Sequence, residues 1–168
     1  MYIKSDVDLD LTLVRSAQAF QWYFDGREYV GHAGGHEALI IPGDDSFEII
    51  SPCTDEAFWR DYFDLGRDYA ALKPICDADP YLKQSYDALH GLHVLNQPVW
   101  DTLPSFIISA NNNVARIRVL VKKLCDELGE RRELNGIQIH LFPTPEALAA
   151  APVETLRAMG MGYRAPYL

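Results

Sequence analysis

The stretch that most constrains this fold runs from Leu103 to Gly129, LPSFIISANNNVARIRVLVKKLCDELG. Ile117, Leu120, Val121, Leu124 and Leu128 fall at i, i+3, i+4, i+7 and i+11, the apolar stripe of a helix that must lie against a core. Gly129 follows the last apolar position, where a C′ glycine is expected. Upstream, LPSFIISA reads as an apolar helix, and Asn111-Asn112-Asn113 separates the two. Consecutive asparagines are poor helix interior, because each amide can bond its own local backbone. Asn113 is well placed as an N-cap, accepting from the backbone N–H groups of the next turn. Arg116, Arg118, Lys122 and Lys123 ride on the same helix. Short amides followed by cations at a helix start can hold a phosphate backbone or the edge of a base. The same pattern also fits a capped amphipathic helix with a solvated basic face.

On either side of this stretch the periodicity differs. VDLDLTL alternates, with Val7, Leu9, Leu11 and Leu13 on one face and Asp8, Asp10 and Thr12 on the other, which predicts a strand. AFQWYF, REYVGHA, EALIIPG and SFEIISP continue as short strands, with turns at Asp25-Gly26, Gly34-Gly35 and Asp44-Asp45. Four or five strands form a meander with one face needing cover. From Thr54, a predicted N-cap, the pattern becomes helical, with Phe58, Trp59, Tyr62 and Phe63 as apolar content. Short helices follow, broken at Pro74 and Pro80, and Pro98 opens the helix that carries Trp100. After Gly129 a polar loop is predicted, then a helix capped by Thr144 and another begun by Pro152 that ends at Gly160-Met161-Gly162. A sheet followed by helices is an α+β layout.

Composition excludes several classes. No run approaches the ~18 apolar residues of a membrane span. The N-terminus lacks a secretory pattern, so a cytoplasmic location is expected, near the nucleoid in a bacterium. Cys53, Cys76 and Cys125 share no CxxC spacing, which predicts reduced thiols rather than a disulfide framework or zinc site. Net charge is −9, unevenly spread: residues 1–90 hold 17 acids and 7 bases, and residues 91–168 hold 7 acids and 8 bases. A basic face near residues 116–132 can therefore meet phosphate, although long-range steering would be weak. The His32–His36 pair is interrupted by two glycines and has no third ligand, and His90–His93 is no better, so no metal is expected. Lys73, Lys83, Lys122 and Lys123 sit in polar helical contexts, which do not make nucleophiles. The residues describe a binding surface and no catalytic centre.

Several stretches together resemble the 8-oxoguanine DNA glycosylases of base-excision repair: LTLVRSAQAFQW (11–22), DYFDLGRDY (61–69), GLHVLNQPVWDTLPSFIISANNNVARI (91–117), LCDELG (124–129), FPTPEALA (142–149) and LRAMGMGYRAPYL (156–168). They occur in the family's order and span nearly the whole chain. The combination of NNNxxRI with a later GxGYRAxY is specific. The resemblance implies a TATA-binding-protein-like antiparallel sheet domain over residues 1–65, then an incomplete all-helical glycosylase domain over 66–168. It implies duplex DNA containing 8-oxoguanine as partner, and no cofactor.

Such enzymes flip the damaged nucleotide out of the duplex and leave an unpaired cytosine opposite. By resemblance, Asn111 fills the vacated space and bonds that cytosine, with Asn113 beside it at the helix start. Arg116 faces the cytosine edge, Arg164 adds a second donor, and Tyr163 wedges into the stack. The family discriminates the lesion through a backbone carbonyl in a GQxFRW-like segment, because the lesion carries a hydrogen on N7 where guanine has a lone pair. Here that segment is Ala17-Gln18-Ala19-Phe20-Gln21-Trp22, so the carbonyl is that of Ala17 in place of the usual glycine. Gln21, His93 and Asn96 stand where the family carries basic residues.

The family's catalytic lysine and aspartate lie beyond the GYRAxY element. The expectation is that this 168-residue chain supplies no catalytic residue and has no glycosylase activity alone. Two readings stay open: the part of a glycosylase/abasic-site lyase that recognises 8-oxoguanine opposite cytosine, and a non-catalytic DNA- or protein-binding derivative of the family. Phe106, Ile117, Val121 and Leu124 are expected to form an exposed apolar patch, on the order of several hundred Å², through which the chain self-associates or meets a partner chain.

Overall fold

Five antiparallel strands form the first layer of the computed structural model, which describes residues 1–168: β1 (Tyr2–Lys4), β2 (Tyr23–Phe24), β3 (Tyr29–Ala33), β4 (His36–Pro42) and β5 (Ser46–Ile50), in the order β1-β5-β4-β3-β2. The turns follow their residues. Gly34 and Gly35 take φ of 57° and 78°, the two positive values that a tight β3–β4 hairpin requires. Asp25 Oδ1 accepts from the N–H groups of Arg27 and Glu28, closing the β2–β3 turn.

The first strand is not the one the alternation predicts. VDLDLTL contributes no strand. Residues Asp10–Arg15 form a wide helical turn, in which Ser16 N–H donates to the Leu11 carbonyl at 2.9 Å, while Tyr2–Lys4 pairs with β5 instead. Two causes are visible. Asp8 Oδ1 accepts from Leu11 N–H at 2.8 Å, which starts a helix. Thr12 is fully buried, so the apparent polar face is not a solvent face. Of the AFQWYF segment only Tyr23–Phe24 is a strand.

The helical part comprises α1 (Glu56–Tyr62), α2 (Lys73–Asp77), α3 (Pro80–Ala88), α4 (Val99–Ser109), α5 (Val114–Leu128), α6 (Pro145–Ala150) and α7 (Val153–Ala158), and closes with a 3-10 turn at Gly162–Tyr167. Asp55, one residue after the expected Thr54, caps α1 through the N–H groups of Ala57 and Phe58. Pro80 opens α3 and Pro74 lies in the first turn of α2, so these prolines begin helices rather than break them. Pro98 stands one residue before α4. Residues 130–141 are a hairpin rather than a loop: β6 (Arg131–Leu134) pairs with β7 (Ile137–His140) across Asn135-Gly136, with φ of 50° and 81°. Gly129 ends α5 without the left-handed backbone of a C′ glycine. Its φ is −80°, and a Cβ there would lie 1.9 Å from the Leu141 carbonyl oxygen.

Two cores result. Trp22, Trp59, Tyr62, Phe47 and Phe63 fill the space between the sheet and α1, where Trp22 Nε1 donates to the Tyr62 hydroxyl at 2.8 Å. Ile117, Leu120, Val121 and Leu124 of α5 pack with Phe142, Leu156, Met159 and Met161. The expected patch is thereby corrected: Phe106 is 72% exposed, but Ile117, Val121 and Leu124 are buried, because the chain after β7 folds back over α5. The two layers are tied together. Asp101 of α4 accepts from Gly34 N–H in the β3–β4 turn at 2.8 Å, and Arg118 of α5 donates to the Val14 carbonyl.

Candidate nucleic-acid interface

The α4–α5 corner is built by three asparagines with three different tasks. Asn111 takes φ of 50°, a left-handed conformation that asparagine tolerates better than most residues. Asn112 Nδ2 donates to the Ile108 carbonyl at 3.1 Å, satisfying one of the open carbonyls at the end of α4. Asn113 Oδ1 accepts from Arg116 N–H at 2.9 Å and starts α5. Among the three, only the Asn111 amide has no hydrogen-bond partner within the protein, and Asn111 is exposed.

The last turn of the chain holds this corner from behind. Arg164, 7% exposed, donates through Nε to the Ala110 carbonyl at 2.8 Å and through Nη2 to the Asn111 carbonyl at 2.9 Å, with a further Nη2 contact to Ala110. Its Nη1 reaches the Met161 carbonyl at 3.4 Å. A guanidinium at a helix C-terminus meets both the orphan carbonyls and the negative end of the dipole. The Tyr163 hydroxyl donates to the same Ala110 carbonyl at 3.0 Å, and the Arg164 guanidinium lies 4.6 Å from the Tyr163 ring centre. Tyr163 nevertheless leaves 57% of its surface exposed.

Together Asn111, Asn112, Asn113, Arg116 and Arg164 line an open hollow of about 480 Å³. Two guanidinium groups face it and no carboxylate does. Arg116 is exposed, and its one contact, Nη2 to the Gly160 carbonyl at 3.4 Å, leaves most of its donors free. The hollow therefore offers an amide, a cation and a helix N-terminus to a polar, acceptor-rich group.

The other sequence-singled residues lie elsewhere. Ala17 is half-buried and holds φ of 57°, a backbone in which glycine is unstrained and alanine is not. Its neighbour Gln18 fastens the segment to the strand-like run before α4: Nε2 donates to the Thr12 and His93 carbonyls, and Oε1 accepts from Leu95 N–H. His93 and Asn96 are turned onto the protein's own backbone. His93 Nδ1 lies 2.9 Å from the Phe63 carbonyl and its ring stacks on Tyr69, while Asn96 Nδ2 donates to the Asp61 carbonyl at 2.9 Å. His32 and His36 belong to different strands' ends and converge on no common ligand, His32 lying against Phe142 and His36 against Phe58. Sequence reasoning missed the inward turn of Arg164, for which the pairing of an apolar Met161 with a terminal Tyr-Arg gave no signal.

Comparison with known proteins shows the family. Residues 2–103 match the N-terminal domain of 8-oxoguanine DNA glycosylase, and residues 105–168 match the HhH-GPD superfamily of base-excision DNA repair proteins. The chain belongs to the 8-oxoguanine DNA glycosylase family. It is 42% identical to the Saccharomyces cerevisiae N-glycosylase/DNA lyase over 93% of this chain and 46% of that protein. It is 30% identical to the Arabidopsis thaliana N-glycosylase/DNA lyase OGG1 over 98% of this chain and 47% of that protein. The chain thus spans about half the length of the curated relatives it matches. Among solved structures, MBOgg1 bound to a low-affinity DNA ligand superposes with a TM-score of 0.90 at 33% identity, over 99% of this chain and 59% of that one. The Clostridium acetobutylicum 8-oxoguanine glycosylase/lyase, in complex with double-stranded DNA containing cytosine opposite 8-oxoguanine, gives 0.87 at 29% identity, over 97% and 57%.

Proposed function

We propose that this chain acts in base-excision DNA repair, binding duplex DNA that carries 8-oxoguanine and reading the cytosine opposite the lesion. The observation that carries this reading is the acid-free hollow in which the Asn111 amide and the Arg116 guanidinium are the uncommitted donors. An extruded nucleotide leaves an orphan base whose acceptors need new donors. Cytosine offers its O2 and N3 acceptors to Arg116, and Asn111 enters the vacated space. Arg164 lines the same hollow and keeps Nη1 as its least committed donor, so it adds to the same base while fixing the Asn111 backbone. Tyr163, exposed and anchored at its hydroxyl, is the wedge. Asn113 sets the start of α5, and the Ala17 carbonyl faces the lesion. In the whole enzyme the chemistry is that of an N-glycosylase/DNA lyase, the activity for which the relatives are named.

Fluorescence anisotropy with an 8-oxoguanine:cytosine duplex at several salt concentrations tests this. Binding should weaken steeply with salt, and Asn111→Ala or Arg116→Ala should each weaken it by roughly tenfold. Absence of binding at low salt would reject the DNA reading. The remaining alternative is then a derivative of the family that binds a protein partner, a reading favoured by the −10 charge of residues 1–90 and by the inward turn of His93 and Asn96.

A further inference from the structure

Of the cations on α5, Arg118 is the one that turns inward. Arg116 faces the hollow, Lys122 pairs with Asp126 at 2.6 Å, and Lys123 is exposed. Arg118 is half-buried: its Nη2 donates to the Val14 carbonyl, and its guanidinium lies 5.7 Å from the Phe20 ring centre. No carboxylate stands within ion-pair reach of it. Burial lowers its pKa from the ordinary arginine value, so the charged form is partly stripped of water. An apolar side chain of similar length would fill the same space without that cost. The guanidinium is explained by what it ties together rather than by stability.

Val14 and Phe20 stand three residues before and three residues after Ala17, so Arg118 grips both flanks of the turn in which Ala17 holds φ of 57°. Its bond to Val14 is the only hydrogen bond between α5 and residues 10–22. The other fastenings run elsewhere. Gln18 Nε2 donates to the His93 carbonyl at 2.8 Å, Gln18 Oε1 accepts from Leu95 N–H at 2.9 Å, and Gln97 Nε2 donates to the Gln18 carbonyl at 2.5 Å. Those bonds fix the turn to the run before α4. Arg118 fixes it to the helix that Asn113 starts, with Arg116 two residues nearer that start, about 3 Å along the axis.

We propose that Arg118 is a positioning residue, setting the Ala17 carbonyl at a fixed distance from the Asn111–Arg116 corner so that lesion and opposite base are read together. This rests on the reading of Ala17 as the group that faces the lesion. Hydrogen bonds weaken steeply with misalignment, so a turn free to shift on α5 no longer separates a donor on the lesion from a lone pair on guanine.

Anisotropy of the 168-residue chain with three duplexes tests this: 8-oxoguanine, guanine, or a stable abasic analogue, each opposite cytosine. The wild-type chain should prefer 8-oxoguanine over guanine by up to about tenfold, the worth of one hydrogen bond. Arg118→Met should erase that preference while leaving affinity for the abasic duplex within about twofold, and Arg118→Lys should restore most of it. In the free chain, amides of residues 14–20 should exchange several-fold faster in Arg118→Met and near the wild-type rate in Arg118→Lys. If Arg118→Met fails to fold, Phe20→Leu, which removes the ring beneath the guanidinium, should weaken the preference in the same direction. A preference or an exchange rate unchanged in Arg118→Met, or an equal loss on all three duplexes, would overturn the positioning role. A wild-type chain that binds the abasic duplex but shows no lesion preference would reject the reading of Ala17, and one that binds no duplex would reject the DNA reading; either result removes the inference as well.

Discussion

At the scale of single residues, the α4–α5 corner combines groups that hold its backbone with the groups proposed to read a base. Arg164 holds: with three contacts to the Ala110 and Asn111 carbonyls and a buried guanidinium, its replacement by alanine should lower stability by about 2–4 kcal/mol, measured by denaturant unfolding. Arg164→Lys should recover little of this, because an ammonium cannot reproduce the fork. Ala17→Gly relieves a positive φ and should stabilise the chain by up to about 1 kcal/mol, the left-handed cost less the added freedom of the unfolded chain. His32 predicts an acid sensitivity. Its folded pKa of about 4 lies below the ordinary 6.5, so the folded state binds fewer protons between those values. Its contribution is complete above pH 6.5 and is lost as pH falls toward 4, by at most about 3 kcal/mol. His32→Phe should flatten that limb of the stability–pH curve; an unchanged slope would argue against the burial as the cause. Asn113 as cap was legible in the sequence because a cap is a local interaction. Arg164 was not, since its partners lie more than fifty residues away and nothing local marks a surface arginine as buried.

Among elements, the legible ones were those whose pattern coincides with their burial. The α5 stripe packs as spaced, and β3, β4 and β5 lie between the turns their glycines and aspartates predict. The VDLDLTL segment was misread because alternation implies a strand only if the second face meets solvent, and Thr12 does not. The β6–β7 hairpin was missed although Asn135-Gly136 is a strong turn signal, since its strands are polar: Arg131, Arg132 and Glu133 are exposed. Gly129 was placed correctly for the wrong reason. It is small because the Leu141 backbone passes over it, so Gly129→Ala should force α5 and β7 apart. A loss of several kcal/mol, on the order of an overpacked core site, is expected in thermal unfolding; a wild-type melting temperature would contradict the close approach.

At the scale of the whole molecule, charge and apolar surface are both unevenly distributed. Acidity is concentrated in residues 1–90, leaving the corner near Arg116 free of nearby carboxylates in its hollow. Val99, Leu103 and Phe106 of α4 are 79%, 46% and 72% exposed and fall at i, i+4 and i+7 on one helix face, a surface suited to a second copy or a partner chain. Light scattering should show association that Phe106→Glu reduces; a monodisperse monomer without dye binding would refute self-association. The hollow is proposed to read the base opposite an emptied position. The most direct measurement is anisotropy with duplexes carrying a stable abasic analogue opposite each of the four bases in turn. Cytosine should bind tightest, by roughly tenfold, and Arg116→Ala should erase the preference. Equal affinity for all four duplexes would contradict the account.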